Sequence, residues 1–143
     1  METIANDFTI NIATANGTGS QSANLILLQS MFEMGIPVSG KNMFPSNISG
    51  LPTWYIVRLS DHGYQAPGDR THIQVLVNPA TWDEDLAALE PGSVVIWNSD
   101  AKKEMYRDDV ISYPVPMSSL ARKINPKIAK LVTNIVYVGI LAE

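Results

Sequence analysis

The fold is decided by residues 8–35, which read FTINIATANGTGSQSANLILLQSMFEMG. Residues 8–13 predict a first strand that runs directly into a glycine-bearing turn. Residues 20–34 follow with apolar side chains at a helical period, on Leu25, Leu28, Met31 and Phe32. Gly35 stands where the C′ glycine of such a helix is expected. The stretch therefore predicts a strand, a tight turn and a helix in succession.

The rest of the chain continues the alternation of strands and helices. Further strands are predicted at residues 36–38, 54–59, 73–77, 93–97 and 110–115, the last at a sheet edge because it contains a proline. A helix over residues 82–89 begins with a capping box from Thr81 to Glu84, and a last helix runs from Pro126 to the end. This pattern predicts a three-layer α/β/α domain, Rossmann-like, with a largely parallel sheet.

We expect residues 1–143 to form a single domain. The last predicted helix reaches Glu143 with its face still apolar and without a glycine, proline or basic stop signal. We therefore expect this domain to be the N-terminal part of a longer subunit.

Composition excludes several classes of function. The 14 acidic and 10 basic residues give a net charge of −4, which argues against a broad nucleic-acid-binding face but leaves enough bases for one small anionic ligand. The chain has no cysteine, so it cannot form disulfides or ligate zinc or iron–sulfur clusters through thiolates. Neither a secretory signal nor a membrane-spanning run is present. We expect a cytoplasmic protein that binds neither nucleic acid nor membrane.

The glycine turn is the first candidate for a ligand site. Gly17 and Gly19 would let the backbone approach a ligand closely, and the helix start behind them offers free N–H groups to an anion. The Gly-x-Gly-x-x-Gly fingerprint is incomplete because its third position is Ser22, and no acidic residue follows at the distance that NAD binding requires. The alternative is that both glycines only permit a tight strand-to-helix turn.

A second candidate is the segment of residues 41–55, which reads KNMFPSNISGLPTWY. Two prolines and a glycine argue against a regular helix there, and we expect an irregular loop that presents donors to a ligand. The donors are the side chains of Lys41, Asn42, Ser46 and Asn47. The alternative is an ordered loop whose amides bond its own backbone. Arg58 is either a further ligand arm or a charge on a strand face.

The remaining polar residues do not suggest catalysis. His62 and His72 have no cysteine nearby in the sequence and are more typical of loop or strand-end histidines than of metal ligands or general bases. The acidic residues 83–85 lie in the first turn of a helix, where the dipole favours carboxylates. No nucleophile–base arrangement or carboxylate pair can be named, so we expect the isolated chain to be inactive.

Taken together, the turn at residues 17–24, the Gly35-Ile36-Pro37-Val38 segment, the segment 41–55 and Arg58 resemble the gamma domain of 2-oxoacid:ferredoxin oxidoreductases. More narrowly, they are similar to the gamma domain fused to the N-terminus of the alpha subunit in 2-oxoglutarate-type enzymes. The resemblance covers essentially the whole chain.

The resemblance implies oxidative decarboxylation of a 2-oxoacid to an acyl-CoA, with ferredoxin as electron acceptor of the complex. It implies thiamine diphosphate, Mg²⁺ and an iron–sulfur cluster in other domains, and it implies a thiamine-binding beta subunit as partner. This domain would help to hold coenzyme A. By position, the residues that would face the anionic ligand are Gly17, Thr18, Gly19 and Ser20. Those that would line the shared site are Lys41, Asn42, Ser46 and Asn47, together with Arg58.

Two other functions remain open from the sequence. One is a non-catalytic nucleotide-binding or coenzyme-A-binding module that acts alone, and the other is an assembly module whose loops dock onto sister domains.

Overall fold

A computed structural model describes residues 7–45, 48–63, 66 and 68–143 of the chain. Its strands, in chain order, are β1 (Asp7–Ala15), β2 (Val38–Met43), β3 (Pro52–Ser60), β4 (Ile73–Leu76), β5 (Val94–Asn98) and β6 (Ile111–Val115). They form one sheet in the order β2-β3-β1-β4-β5-β6. The pairs β1–β4, β4–β5 and β5–β6 are parallel, whereas β3 is antiparallel to both of its neighbours. The predicted largely parallel sheet is confirmed, and β6 lies at an edge as its proline indicated.

Helices cover both faces of the sheet. They are α1 (Ser20–Glu33), α2 (Trp82–Ala87), α3 (Met117–Ile124) and α4 (Ala129–Leu141). One sheet face presents residues such as Ile12 and Val75 to a core shared with α1, α3 and α4. The opposite face presents Ala13, Leu76 and Val95 to a smaller core under α2. Because successive strand residues point to opposite faces, Ile12 and Ala13 serve different layers, and the three-layer architecture is confirmed.

The end of α1 follows the sequence prediction. Gly35 has a φ of 80°, its N–H donates to the Phe32 carbonyl at 2.9 Å, and the Ile36 N–H donates to the Met31 carbonyl at 3.2 Å. These two bonds define a Schellman motif, in which the left-handed residue is most easily a glycine. Only part of the predicted apolar period packs inward, because Leu28 and Met31 lie partly buried against the main core. Leu25 and Phe32 are exposed, and the buried residues are Ser20, Ala23, Asn24 and Leu27.

The structure corrects the irregular loop that was predicted over residues 41–55. Lys41 and Asn42 lie inside β2, which pairs with β3 along its whole length, and residues 52–55 already belong to β3. The strand predicted at residues 36–38 overlaps β2 only at Val38, since the observed strand runs on to Met43. The ladder with β3 satisfies the backbone groups that a loop would leave to water or side chains. Gly40 suits this strand because an added Cβ would lie 2.1 Å from the Tyr55 hydroxyl oxygen.

Three further points about the helices need correction. Thr81 does not cap α2 through its side chain but donates its hydroxyl to Asp85 Oδ2 at 2.7 Å, because a buried carboxylate needs donors. The polar segment after β6 contains α3, which sequence reading missed because only Met117 and Ala121 of its eight residues are buried. The last predicted helix is present, but Pro126 opens a short 3₁₀ turn and the α-helix begins at Ala129.

Candidate functional site

The main candidate site is a crevice at the carboxyl ends of the parallel strands. It has a volume of about 350 Å³ and lies where residues that follow β1, β4 and β5 meet the amino-terminal part of α4. The chain leaves β1 toward one side of the sheet, through α1 to β2, whereas β4 and β5 extend the sheet on the other side. The strand order thus reverses beside β1. Ligands of open α/β sheets bind at such a switch point.

The glycine turn forms one wall of this crevice. Gly17 and Gly19 have φ angles of 79° and 80°, which glycine adopts without strain. The Thr18 hydroxyl donates to the Ala15 carbonyl at 2.8 Å and so closes the turn on itself. The N-cap residue of α1 is Gly19, which has no side chain to cap the helix, and the first turn contains no acidic residue. The turn therefore leaves the positive end of the helix dipole without a side-chain anion beside it, as an anion-binding turn requires.

Residues 48–51 close over the turn. The Gly50 N–H donates to the Asn16 carbonyl at 2.8 Å, and the Asn16 N–H donates to the Leu51 carbonyl at the same distance. A Cβ on Gly17 would lie 2.6 Å from Ser49 Oγ. The segment that the sequence singled out as a second loop thus reaches the crevice through its later part, Ser49 and Gly50.

Helix α4 supplies another wall. Asn134 Nδ2 donates to the Thr18 carbonyl at 2.7 Å, which fixes the helix against the glycine turn. A Cβ on Gly19 would lie 2.2 Å from Leu131 Cδ2, so Gly19 makes room for this helix. Lys130, one residue earlier, lines the crevice. The contact between α4 and the turn joins residues that are more than 110 positions apart in the sequence.

Two asparagines at strand ends hold the remaining wall: Asn98 is the last residue of β5, and Asn78 lies two residues after β4. Asn78 Nδ2 donates to the Thr14 carbonyl at 3.2 Å, while its Oδ1 accepts from the Ala80 N–H at 3.1 Å. Asn98 Nδ2 donates to Ser118 Oγ at 2.9 Å. Since these amides are engaged with the protein, they fix the shape of the crevice more than they offer donors to a guest.

The charge of the crevice suits an anion. Of the described residues that line it, none is acidic, and Lys130 is the only charged one. A lysine ammonium beside backbone N–H groups and a helix start is a typical arrangement for phosphate or carboxylate groups. The described part of the chain contains no group of three or more His, Cys, Asp or Glu residues that could hold a metal ion.

The structure brings some of the predicted site residues together. Gly17 and Thr18 line the crevice. Ser20 and Asn42 line a neighbouring cavity of about 200 Å³, and the Ser20 Oγ accepts the Thr14 hydroxyl at 3.0 Å. Gly19 packs against α4 instead of facing either cavity.

The other predicted site residues are not part of this group. Lys41 pairs with Ile56 on β3, whereas Asn42 pairs with the core residue Tyr55, so the two side chains lie on opposite faces of the sheet. Lys41 lines a separate cavity at the β2 edge, next to Trp54. Ser46 and Asn47 lie outside the described residues.

Arg58 lies at the opposite end of the sheet from the glycine turn. It pairs with Thr9 near the start of β1, and Ala15 at the end of β1 is six residues on, or about 20 Å at strand spacing. Arg58 forms an ion pair with Asp7 and donates to the Leu59 carbonyl at 2.7 Å. These contacts make it a structural charge and not a ligand of the crevice.

His72 lies at the same end and is also structural. Its Nδ1 accepts the Thr9 backbone N–H at 3.1 Å, which requires this nitrogen to be unprotonated. Burial and the charges of Arg70 and Arg58 lower the pKa of His72 and so favour the neutral imidazole that the bond needs.

Sequence reading missed several residues of the crevice: Ser49, Asn78, Asn98, Lys130 and Asn134. A signal existed for the two asparagines at strand ends, because polar residues at the carboxyl ends of parallel strands meet at one edge of a sheet. No sequence signal links Lys130 and Asn134 to the glycine turn. Within the described ranges, no helix has both the length and the apolar character needed to cross a bilayer.

The fold and the crevice define a Rossmann-like α/β domain with a crevice at its switch point. The family model for pyruvate ferredoxin/flavodoxin oxidoreductase matches residues 9–143, and the chain belongs to this family. The family resemblance inferred from the sequence motifs is thereby confirmed. Comparison with curated proteins gives no match.

Three solved structures share the fold. The 2-oxoglutarate:ferredoxin oxidoreductase from Magnetococcus marinus, with 2-oxoglutarate, coenzyme A and succinyl-CoA bound, matches with a TM-score of 0.86 and 24% identity over 98% of this chain and 24% of that chain. The pyruvate oxidoreductase subunit from Thermotoga maritima matches with a TM-score of 0.73 and 17% identity, over 96% of this chain and 75% of that chain. The gamma subunit of the keto/oxoacid ferredoxin oxidoreductase from Geobacter sulfurreducens matches with a TM-score of 0.71 and 17% identity, over 92% of this chain and 73% of that chain. This chain thus spans about a quarter of the Magnetococcus chain.

Proposed function

We propose that this chain is the N-terminal gamma domain of the alpha subunit of a 2-oxoacid:ferredoxin oxidoreductase of the 2-oxoglutarate type. Its crevice helps to hold coenzyme A in the thiamine-dependent oxidative decarboxylation of a 2-oxoacid to an acyl-CoA. The partners in this proposal are the remaining alpha-subunit domains, a thiamine-binding beta subunit and ferredoxin. The similarity to a 2-oxoglutarate enzyme with coenzyme A bound supports the choice of substrate class.

The observation that carries the proposal is the crevice beside the glycine turn, in which none of the described lining residues is acidic. Lys130 brings positive charge to a switch point whose walls are fixed by asparagine side chains, and Ser20 at the start of α1 lines the neighbouring cavity. Coenzyme A contains a diphosphate, which matches such a site. A volume of about 350 Å³ is near the lower limit for ligand pockets, so the crevice would take the diphosphate and leave the reactive thiol end to a neighbouring domain.

The cofactors of the reaction do not fit this chain. An iron–sulfur cluster needs thiolate ligands and the sequence has no cysteine, and the described residues offer no group of potential metal ligands for a thiamine-bound Mg²⁺. Thiamine diphosphate stabilises the carbanion and iron–sulfur clusters carry the electrons, so we assign both to other domains. What remains for this chain is to bind coenzyme A and orient it.

An assembly role is the second candidate. Helix α1 exposes Leu25 and Phe32 (71% exposed), and α4 exposes Leu131 and Ile135. Exposed apolar side chains on adjacent helices are typical of surfaces that other domains cover. This role does not exclude ligand binding at the crevice, and the experiment below separates the two.

The test fills the crevice without removing any of its hydrogen bonds. In the complete enzyme, Ser49→Tyr places a ring at the mouth of the crevice beside Gly17, and we expect the KM for coenzyme A to rise about tenfold or more while the KM for the 2-oxoacid stays near wild type. Lys123→Tyr adds the same ring on α3, at a residue that does not line the crevice, and serves as the control. An unchanged KM for coenzyme A in an assembled Ser49→Tyr enzyme would refute ligand binding here, whereas loss of assembly in that variant alone would favour the assembly role.

A further inference from the structure

Charge is distributed unevenly along the chain. Although the protein is acidic overall, residues 110–142 contain four basic residues and no acidic one: Arg122, Lys123, Lys127 and Lys130. Such an asymmetry between parts of a chain points to an anionic partner. The segment forms β6, α3 and α4, so the question is whether the fold gathers these cations on one surface.

Three of the four cations line one groove. A cavity of about 570 Å³ lies between α3 and the start of α4, and Arg122, Lys127 and Lys130 are its charged lining residues. Lys123, next to Arg122 in sequence, is not among the lining residues. No acidic residue lines the groove, and none of its three cations forms an ion pair with a carboxylate in the described part of the chain. We call this surface the basic groove.

The basic groove is continuous with the crevice at the glycine turn. Ser118, Lys130 and Thr133 line both cavities, so one extended ligand can occupy both and pass Lys130 on the way. A lysine at the junction would contact the ligand in either part. The two volumes, about 350 and about 570 Å³, lie in the range of pockets that hold a drug-sized ligand or part of a larger one.

An acidic residue next to α3 is already engaged with that helix. Asp100 accepts the Ser119 backbone N–H at 2.7 Å and the Ser119 hydroxyl at 2.8 Å, and so holds the first turn of α3 beside the groove. Partial burial raises the pKa of Asp100, but the bonds from Ser119 and the charge of Arg122 outweigh it and keep the pKa below its ordinary value. Asp100 therefore stays ionised without forming an ion pair with Arg122, which donates instead to Ser119 Oγ at 3.3 Å.

We propose that the basic groove binds the 3′-phosphate of the ribose of coenzyme A through Arg122 and Lys127, with the diphosphate of the same molecule beside Lys130 and the glycine turn. The inference rests on the proposed function, because it assigns the second anionic end of the ligand that the crevice would hold. It makes this chain the part of the enzyme that distinguishes coenzyme A from its form without the 3′-phosphate.

The test compares coenzyme A with 3′-dephospho-coenzyme A in the complete enzyme at a saturating 2-oxoacid concentration. We expect wild type to have a KM about tenfold lower for coenzyme A, because a charge-assisted contact to one phosphate is worth about one power of ten. The variants Arg122→Ala and Lys127→Ala reduce this ratio, and the double variant brings it close to one. The control Lys123→Ala removes a charge from the same helix outside the groove and keeps the wild-type ratio.

The outcomes separate this inference from the proposed function. If Ser49→Tyr raises the KM for both ligands while the Arg122→Ala/Lys127→Ala enzyme keeps the wild-type ratio, the crevice binds coenzyme A and the basic groove does not. A wild-type enzyme that uses both ligands equally well also overturns the inference. If the double variant does not assemble, inhibition of wild type decides the matter. Adenosine 3′,5′-bisphosphate should then compete with coenzyme A about tenfold better than AMP, and equal inhibition by the two refutes the inference.

Discussion

The sharpest prediction concerns Gly17, where the crevice wall meets residues 48–51. Gly17→Ala places a Cβ on a residue with a φ of 79°, which costs about 1–2 kcal/mol for an L-residue. The same Cβ would lie 2.6 Å from Ser49 Oγ, and the exposed serine must leave its rotamer, which adds about 0.5–1.5 kcal/mol. We therefore expect Gly17→Ala to lower the free energy of unfolding by about 1.5–3.5 kcal/mol, the sum of these two estimates.

Gly35→Ala is the matched control for the backbone part. Gly35 has nearly the same φ of 80°, but nothing lies within 4 Å of an added Cβ, so only the conformational cost of about 1–2 kcal/mol applies. Adding Ser49→Ala to Gly17→Ala removes the close oxygen and leaves the Ser49 Cβ at 3.4 Å, so the double variant should recover the steric part.

Urea denaturation of the 143-residue chain, followed by tryptophan fluorescence, measures all four proteins on one scale. The reasoning fails if Gly17→Ala and Gly35→Ala cost the same and if Ser49→Ala adds to the loss instead of reducing it. Differences below about 0.5 kcal/mol fall within ordinary additivity and would count as no coupling. Such a result would mean that residues 48–51 do not close over the turn.

Three further predictions test the layers that hold the crevice. Tyr137→Phe removes the hydroxyl that donates to Asn24 Oδ1 at 2.7 Å between α4 and α1, and the orphaned buried amide should cost about 1–3 kcal/mol in urea denaturation; no loss would mean that water or another donor replaces it. Burial raises the pKa of Asp85 although Thr81 and Trp54 donate to it, so its folded pKa exceeds the ordinary value of 3.8. The stability of wild type relative to Asp85→Asn should then fall as the pH rises from 3.8 through the folded pKa and become constant above it, and a rise over that window would contradict the raised pKa. Leu86→Ala empties the core under α2 and should cost about 2–5 kcal/mol, whereas Leu25→Ala, on the exposed side of α1, should cost less than about 1 kcal/mol; equal losses would contradict the assigned layers.

The parts of the fold that could be predicted from the sequence are those set by local chemistry. The strand before the glycine turn, helix α1 and its Schellman end at Gly35 depend on residues close together in the chain. The burial of α1 was not predictable in the same way. Its apolar residues Leu25 and Phe32 face outward, while the polar Asn24 is buried because Tyr137, far along the chain, donates to it.

The residues of the candidate site also differ in whether local sequence could predict them. Gly17 and Thr18 could be named in advance because a glycine turn between a strand and a helix has a known relation to anions. Lys130 and Asn134 could not, since α4 reaches the turn only after the whole sheet is built. The position of Lys41 was predicted wrongly for a related reason. Residues 41–55 contain turn-forming residues, but pairing with β3 sets the conformation of Lys41 and Asn42. Strand alternation then directs the Lys41 side chain to the opposite face of the sheet from Asn42.

The incomplete fingerprint at the turn has a physical explanation in these contacts. In a dinucleotide-binding turn the third glycine allows the helix to pack closely on the strand. Here Ser22 is exposed, and Ala23, which is buried in the main core, provides the close contact with the sheet. Gly19 allows Leu131 of α4 to lie against the turn, and Gly17 allows Ser49 to do the same from the other side. The turn is thus adapted to receive a helix and a loop as neighbours. These two neighbours enclose the crevice, which continues into the basic groove beyond Lys130.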